Sequence, residues 1–279
     1  MNCMYRFGAL AGALLVTAPL ALAEGEGPQA SYSTGVFYTT GKYGYDETTD
    51  IIRVPLDISV SAGRVTLFAD LPWLYADGPA DAATAGQLGG TATSRFPRLA
   101  SRLDGTDPAG SVDGIGDATV GVTTRLTPET GATWLGVTVM ATLPTGDEDK
   151  GLGTGSTDLL AELAVERWMG SWALTGAAGY AWLGDEGEAD PEADPPLLAL
   201  EDYAFARIGV RYRLISGGTL GSDLAWTESA DPALEDIVEL SVSWIVPLSE
   251  TVSLGTYLSG GLAGDGSDAG AGVTLTITP

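Results

Sequence analysis

From about residue 30 onward, apolar and polar side chains alternate with period two, in pieces of roughly ten residues separated by turn-forming stretches. The pieces run near 30–40, 50–61, 63–75, 114–126, 131–144, 157–168, 171–184, 202–214, 218–228, 236–248, 250–262 and 268–278. In Ile237-Val-Glu-Leu-Ser-Val-Ser-Trp-Ile-Val246, one face carries Val238, Leu240, Val242, Trp244 and Val246, and the other Glu239, Ser241 and Ser243. In residues 202–214, Ala204, Ala206, Ile208, Val210, Tyr212 and Leu214 share one face, while Arg207, Arg211 and Arg213 share the other. Strict alternation predicts strands with one apolar and one polar side. Beyond the first residues, no segment keeps a helical period with caps at both ends.

The connections alternate as well. After the even-numbered strands they are tight: Ser61-Ala-Gly, Thr127-Pro-Glu-Thr-Gly, Met169-Gly-Ser, Ile215-Ser-Gly-Gly and Leu248-Ser-Glu-Thr. After the odd-numbered strands they are long and mostly acidic, as in 185–202, which holds eight carboxylates from Asp185 to Asp202 and no base. The longest, about 76–113, mixes Gly, Ala and Pro with Arg95, Arg98 and Arg102. An even number of strands with short turns at one end and long loops at the other is the outer-membrane barrel pattern. A secreted β-sandwich has no reason to sort its connections by end. Aromatic placement agrees: Trp73, Trp182, Trp226, Tyr38, Tyr75 and Tyr203 fall at loop ends, and Trp134, Trp168, Trp172, Trp244 and Tyr212 at turn ends, as two interfacial belts require. Pro55, Tyr257 at mid-strand and the weak alternation of 218–228 fit less well. The predicted fold is all-β: a transmembrane antiparallel up-and-down barrel of about 12 strands, of the bacterial outer-membrane type.

The first residues supply the address. Arg6, an apolar run from Phe7 to Leu20 and the site Ala21-Leu22-Ala23 read as a Sec signal peptide over 1–23, leaving 24–279 as a single barrel domain. The run is too short, and too interrupted by Pro19, to span a bilayer as a helix. Cys3 falls inside this peptide, so the exported chain has no thiol chemistry. The whole chain carries 13 basic and 37 acidic side chains; removing Arg6 leaves 12 − 37 = −25. Nucleic acid is excluded as a partner, because phosphate neutralisation needs Lys and Arg. Histidine is absent, which removes serine–histidine and cysteine–histidine catalysis. Neither a catalytic residue nor a cofactor is expected.

Thr142-Leu-Pro-Thr-Gly-Asp-Glu-Asp-Lys-Gly-Leu-Gly-Thr-Gly-Ser-Thr-Asp158 admits three readings. A phosphate loop needs Gly-Lys-Ser/Thr opening a helix, and here Lys150 is followed by Gly151, with Asp147, Glu148 and Asp149 repelling phosphate. A calcium loop is only half present: Asp147 and Asp149 are spaced like first ligands, but Gly151 stands where another oxygen belongs. The third reading, the connection at the tip of a hairpin, fits both alternating flanks, and no metal is assigned. Together with Gly114-Ile-Gly-Asp-Ala-Thr-Val-Gly-Val-Thr-Thr-Arg-Leu126, the stretch resembles the outer-membrane family of transporters named for the meta-pathway of phenol degradation. The matching residues are Gly114, Gly116 and Asp117; Leu143, Pro144, Thr145, Gly146 and Asp147; Gly153, Thr154, Gly155 and Asp158. The resemblance implies a twelve-strand barrel and an outer-membrane transporter. Members usually end on an aromatic residue read by the barrel-assembly machinery, whereas this chain ends Thr274-Leu-Thr-Ile-Thr-Pro279.

Following the alternation inward gives the lumen candidates Arg53, Asp57, Arg64, Asp70, Asp117, Arg125, Glu162, Glu166, Arg207, Arg211, Asp223 and Glu239. Facing lipid, such charges would cost about 2–4 kcal/mol each at the midplane for Arg. Two functions are open on this reading. One is a channel for small solutes, with aromatic ones as candidates, by passive diffusion through a charged lumen. The other is a structural or adhesive surface barrel whose opposed charges plug the lumen. A barrel enzyme is disfavoured by the missing histidine. The expected surroundings are outer-membrane lipid and lipopolysaccharide in a Gram-negative envelope, and the assembly machinery. Arg207 and Arg211 are expected to face Glu162 and Glu166.

Overall fold

The computed structural model describes residues 27–43, 48–79, 109–128, 130–147, 150, 152–153, 155–184, 201–230 and 234–279. The signal-peptide reading, Arg95, Arg98 and Arg102, and most of the acidic connection 185–202 lie outside these residues. In chain order the strands are β1 (Gln29–Gly41), β2 (Thr49–Ala62), β3 (Val65–Pro79), β4 (Ala109–Ile115), β5 (Ala118–Arg125), β6 (Thr133–Leu143) and β7 (Asp158–Met169). They continue as β8 (Trp172–Trp182), β9 (Tyr203–Arg213), β10 (Thr219–Thr227), β11 (Ile237–Pro247), β12 (Val252–Ala263) and β13 (Ser267–Ile277). Successive strands pair antiparallel except β4 and β5, which both pair with β3, and β13 returns to β1 over Tyr32↔Ile277 to Gly41↔Ser267, so the sheet closes.

β4 and β5 are two halves of one wall strand, which makes the barrel twelve-stranded. β4 pairs with the loop end of β3 (Trp73↔Ile115 to Pro79↔Ala109), and β5 with its turn end (Val65↔Thr124 to Asp70↔Thr119). The break has a cause. Pro72 sits between these two ladders and has no N–H to give, so the ladder lapses at Gly116–Asp117 except for Gly116 N–H to Pro72 O, 2.9 Å. Pro55 pairs with Pro72 across β2–β3 and interrupts the other side: the β1–β2 register skips from Thr34↔Leu56 to Phe37↔Arg53. The strand expected at 114–126 therefore starts earlier, at Ala109, and carries a gap that hydropathy alone does not show.

One register faces outward and is apolar: Leu56, Ile58 and Val60 of β2, Leu159, Leu163 and Val165 of β7, and Leu240, Val242 and Trp244 of β11 are all exposed. An apolar band of this extent is what lipid covers. Trp73, Trp182 and Trp226 flank it at the loop ends, and Trp172 and Trp244 at the turn ends, with the Trp172 ring 4.5 Å from that of Tyr212. Trp134, Trp168 and Tyr203, expected in these belts, fall on the inner register instead; Trp134 and Tyr203 are buried there. Position along a strand gave their height but not their face. β10, weak in hydropathy contrast, alternates cleanly in burial, because its inner positions Thr219, Gly221, Asp223, Ala225 and Thr227 are small or polar.

Candidate functional site

The inner register gathers the charges. Arg53, Asp57, Asp70, Arg125, Glu162, Glu166, Arg207, Arg211, Asp223 and Glu239 all alternate with the outward apolar positions of their strands, while Asp117 is buried in the gap between β4 and β5. Arg64 does not join them. It occupies the second position of the two-residue turn between Ala62 and Val65, after Gly63 at φ 56°, and is exposed at the barrel's edge. Within the lumen, Arg53 of β2 pairs with Asp70 of neighbouring β3, and Asp57 stands directly opposite Asp70. Arg207 reaches over β8 to Glu162, 3.3 Å. Arg211 pairs with Asp223 of the adjacent β10 at 2.8 Å. The expected pairing of Arg211 with Glu166 does not form. Gly221 opposite Arg211 lets its side chain lie toward Asp223, and Glu166 instead accepts from Trp168 Nε1 at 2.6 Å. Glu239 accepts from the Ser267 hydroxyl at 3.0 Å, and Arg125 donates to Pro128 O at 2.8 Å, at the turn end.

The three arginine–carboxylate pairs join strands that are adjacent or one apart, so they lie along the wall. At the Arg211–Asp223 pair, glycines make this possible. A Cβ on Gly209 would stand 2.2 Å from Asp223 Oδ1, and one on Gly221 2.9 Å from Arg211 Cδ. Aromatic rings are laid down in the same way. Phe68 covers Gly121, Phe205 covers Gly179, and Phe37 and Tyr257 cover Gly272 from both sides, each ring within 2.3–2.7 Å of where the missing methyl would be. Sequence reasoning treated glycine as turn punctuation and missed these positions. Their signal is a glycine on the inner register paired with a large residue one strand over, and reading it requires the register.

The connection 144–157 joins the paired strands β6 and β7 as the tip of a hairpin, but some of its described residues turn inward. The break after β4 frees Asp117, whose Oδ1 accepts from Gly146 N–H at 2.8 Å. The Thr145 hydroxyl donates to Gly116 O (3.2 Å) and accepts from Ala118 N–H (2.7 Å). Leu152 then drops into a pocket of Tyr43, Ile51, Leu74 and Ala76, where it is 1% exposed. Tyr43 comes from the β1–β2 connection with φ 49°, a conformation that costs a non-glycine residue about 1–2 kcal/mol, and donates to Thr39 Oγ1 at 2.9 Å. Burial pushes its phenol well above the ordinary range. Asp147 pairs with Lys150 at 3.3 Å on the surface, while Asp149 lies outside the described residues. Among the described residues, no cluster of three or more His, Cys, Asp or Glu is placed to hold a metal.

The family described by the MetA-pathway of phenol degradation matches residues 54–205, just over half of the chain. The chain belongs to this family. An outer membrane channel from Pseudomonas putida F1 has the same fold, with 14% identity, a TM-score of 0.63 and coverage of 94% of this chain and 98% of that one. The Ralstonia pickettii toluene transporter TbuX aligns over 91% of this chain and 90% of its own with 12% identity and a TM-score of 0.46. No curated protein matches the chain in sequence. The chain is thus an outer-membrane β-barrel of the phenol-degradation family.

Several of the residues that carry the family resemblance have physical roles. Gly114, Gly146 and Gly153 are small because Leu152 Cδ1, Leu152 O and Asp117 Oδ1 would lie 2.7, 2.2 and 2.7 Å from a Cβ. Asp158 Oδ1 accepts from Gly184 N–H at 3.0 Å, and Gly155 takes φ 71°. Thr154 lies outside the described residues. In this protein the family motif is a latch that seats the β6–β7 connection on the β4–β5 break. Asp117→Ala is expected to release it at a cost of about 1.5–3 kcal/mol, the worth of hydrogen bonds to a charged group. Limited proteolysis checks this: cleavage within 144–157 should rise several-fold while the barrel keeps its heat-modifiable gel mobility. Unchanged cleavage would remove the latch.

Proposed function

We propose that the protein is a passive outer-membrane channel for small solutes, aromatic ones among them, which diffuse through its charged lumen. The observation that carries this is the direction of the three arginine–carboxylate pairs named above: they join strands that are adjacent or one apart and so follow the wall, where a plug would place them across the axis. Charges held this way shape a polar path without filling it. Membership of a family described by phenol degradation, and the likeness in fold to a Pseudomonas putida outer membrane channel, support the same reading. In this reading the chain catalyses no reaction. Residues 1–23 are its export signal, the assembly machinery inserts it, and lipopolysaccharide meets its acidic outer connections.

The test is solute uptake by a porin-deficient Gram-negative host. Cells carrying the barrel should take up a small hydrophilic solute and a small aromatic one faster, in proportion to the folded protein in the outer membrane. An inserted barrel without faster uptake would instead make it a structural or adhesive surface protein.

A further inference from the structure

Three inner carboxylates, Asp70, Glu162 and Asp223, each have an arginine. Glu239 is only 3% exposed, and no lysine or arginine among the described residues pairs with it. Its partners are hydroxyls. Ser267 donates to Oε2 at 3.0 Å, and Ser259 of β12 is also within reach of the carboxylate. Oε1 has no hydrogen-bond partner, and neither does Oγ of Ser241, which is 1% exposed. Residues two apart on a strand share a face, so both open oxygens look inward near the loop end of β11.

The backbone is shaped around this spot. The β11–β12 ladder bulges there: Val238 pairs with Ala263 and Glu239 with Gly261, so Leu262 is skipped. The β1–β13 ladder bulges too, pairing Thr40 with Ala269 and Gly41 with Ser267, past Asp268. Ser267 is buried as a result, while Asp268 stays exposed. Bulges give up ladder hydrogen bonds and re-aim side chains. Glycines allow the close approach. A Cβ on Gly261 would stand 2.4 Å from Ser267 O, and one on Gly41 2.8 Å from Ser267 Cα. One carboxylate and three serine hydroxyls, from β11, β12 and β13, thereby meet at one place.

We infer that Glu239, Ser241, Ser259 and Ser267 form a binding site for a small monovalent cation of sodium or potassium size. The inference goes beyond the channel reading and does not depend on it. A buried carboxylate stays charged only with a positive partner or several strong hydrogen bonds, and hydroxyls alone do not balance its charge. Carboxylate and hydroxyl oxygens suit hard cations. One negative charge matches one positive charge, whereas calcium draws about six to eight oxygens, several of them from carboxylates. An organic ammonium is too bulky for oxygens this closed to solvent. The bound ion ties β11, β12 and β13 together beside the seam where β13 meets β1.

The test is thermal unfolding of the whole barrel in detergent, in sodium or potassium chloride against N-methylglucamine chloride at equal ionic strength. One of the two alkali cations is expected to raise the unfolding temperature by about 4 °C, saturating with concentration. Glu239→Gln should bring that rise below about 1 °C, and Ser241→Ala should increase the half-saturating concentration about threefold. Glu250→Gln, which removes an exposed carboxylate at a turn, should keep the full response. If Glu239→Gln does not fold, Glu239→Asp replaces it, with a half-saturating concentration about tenfold higher. Equal unfolding temperatures in all three salts overturn the site, as does a rise that survives Glu239→Gln. So does a larger rise with micromolar calcium that Glu239→Gln abolishes, since the ion would then be divalent.

Discussion

Arg211→Ala should destabilise the barrel more than Arg207→Ala, although both arginines point inward from β9. Arg211 and Asp223 are only 8% and 5% exposed, so removing the arginine strands a carboxylate that water reaches poorly. Breaking such a pair costs about 3–5 kcal/mol. Arg207 is 21% exposed against 2% for Glu162, and truncating this more exposed side chain is expected to open the lumen side of Glu162 to water. Its loss should cost about 1.5–3 kcal/mol, the range for a hydrogen bond to a charged group. Removing both partners, Arg211→Ala with Asp223→Ala, should recover most of the loss because no charge is left buried alone. Urea unfolding in lipid vesicles separates the three variants. A double variant no better than Arg211→Ala would mean that the pair is not the unit that matters.

Gly209→Ala is the second substitution expected to have a large effect, for a change of one methyl. The new carbon would stand 2.2 Å from Asp223 Oδ1 and 2.7 Å from the backbone oxygen of Ser222, so both a side chain and a strand must move. Overpacking of this kind costs about 1–3 kcal/mol. It also lifts Asp223 off the wall toward the axis, so conductance should fall together with stability. Gly176→Ala is the control: its new carbon meets Val165 Cγ1 at 3.6 Å, an ordinary contact, and should change neither quantity. Equal behaviour of the two variants would show that the inner glycines are not what keeps side chains flat.

The barrel was readable because its signals are local. Period-two alternation fixed which residues of β2, β7, β9 and β11 face inward, and the sorting of short turns from long loops fixed the closed architecture. What escaped depends on which residues lie side by side. Pro72 reads as an ordinary proline until its place opposite Pro55 and beside Gly116 explains the break between β4 and β5. Arg64 shares the inner parity of Asp70, but a two-residue turn leaves no wall at its position. Trp134 and Tyr203 lie near strand ends, as belt residues do, yet their registers point inward. Alternation counts Asp117 among the lumen charges, yet it lies in the gap between β4 and β5, outside any strand pairing, and holds Gly146 of the family motif. Leu152 gave no sign in the sequence, since a lone leucine among glycines and acids has no period to read.

Single-channel recording of the purified wild-type protein in planar bilayers tests the wall-lying arrangement most directly. Side chains that follow the wall leave a continuous wet path, so heat-modifiable, folded protein should give discrete current steps whose number grows with the amount inserted. Folded protein that inserts and stays electrically silent would mean that the paired charges close the lumen after all.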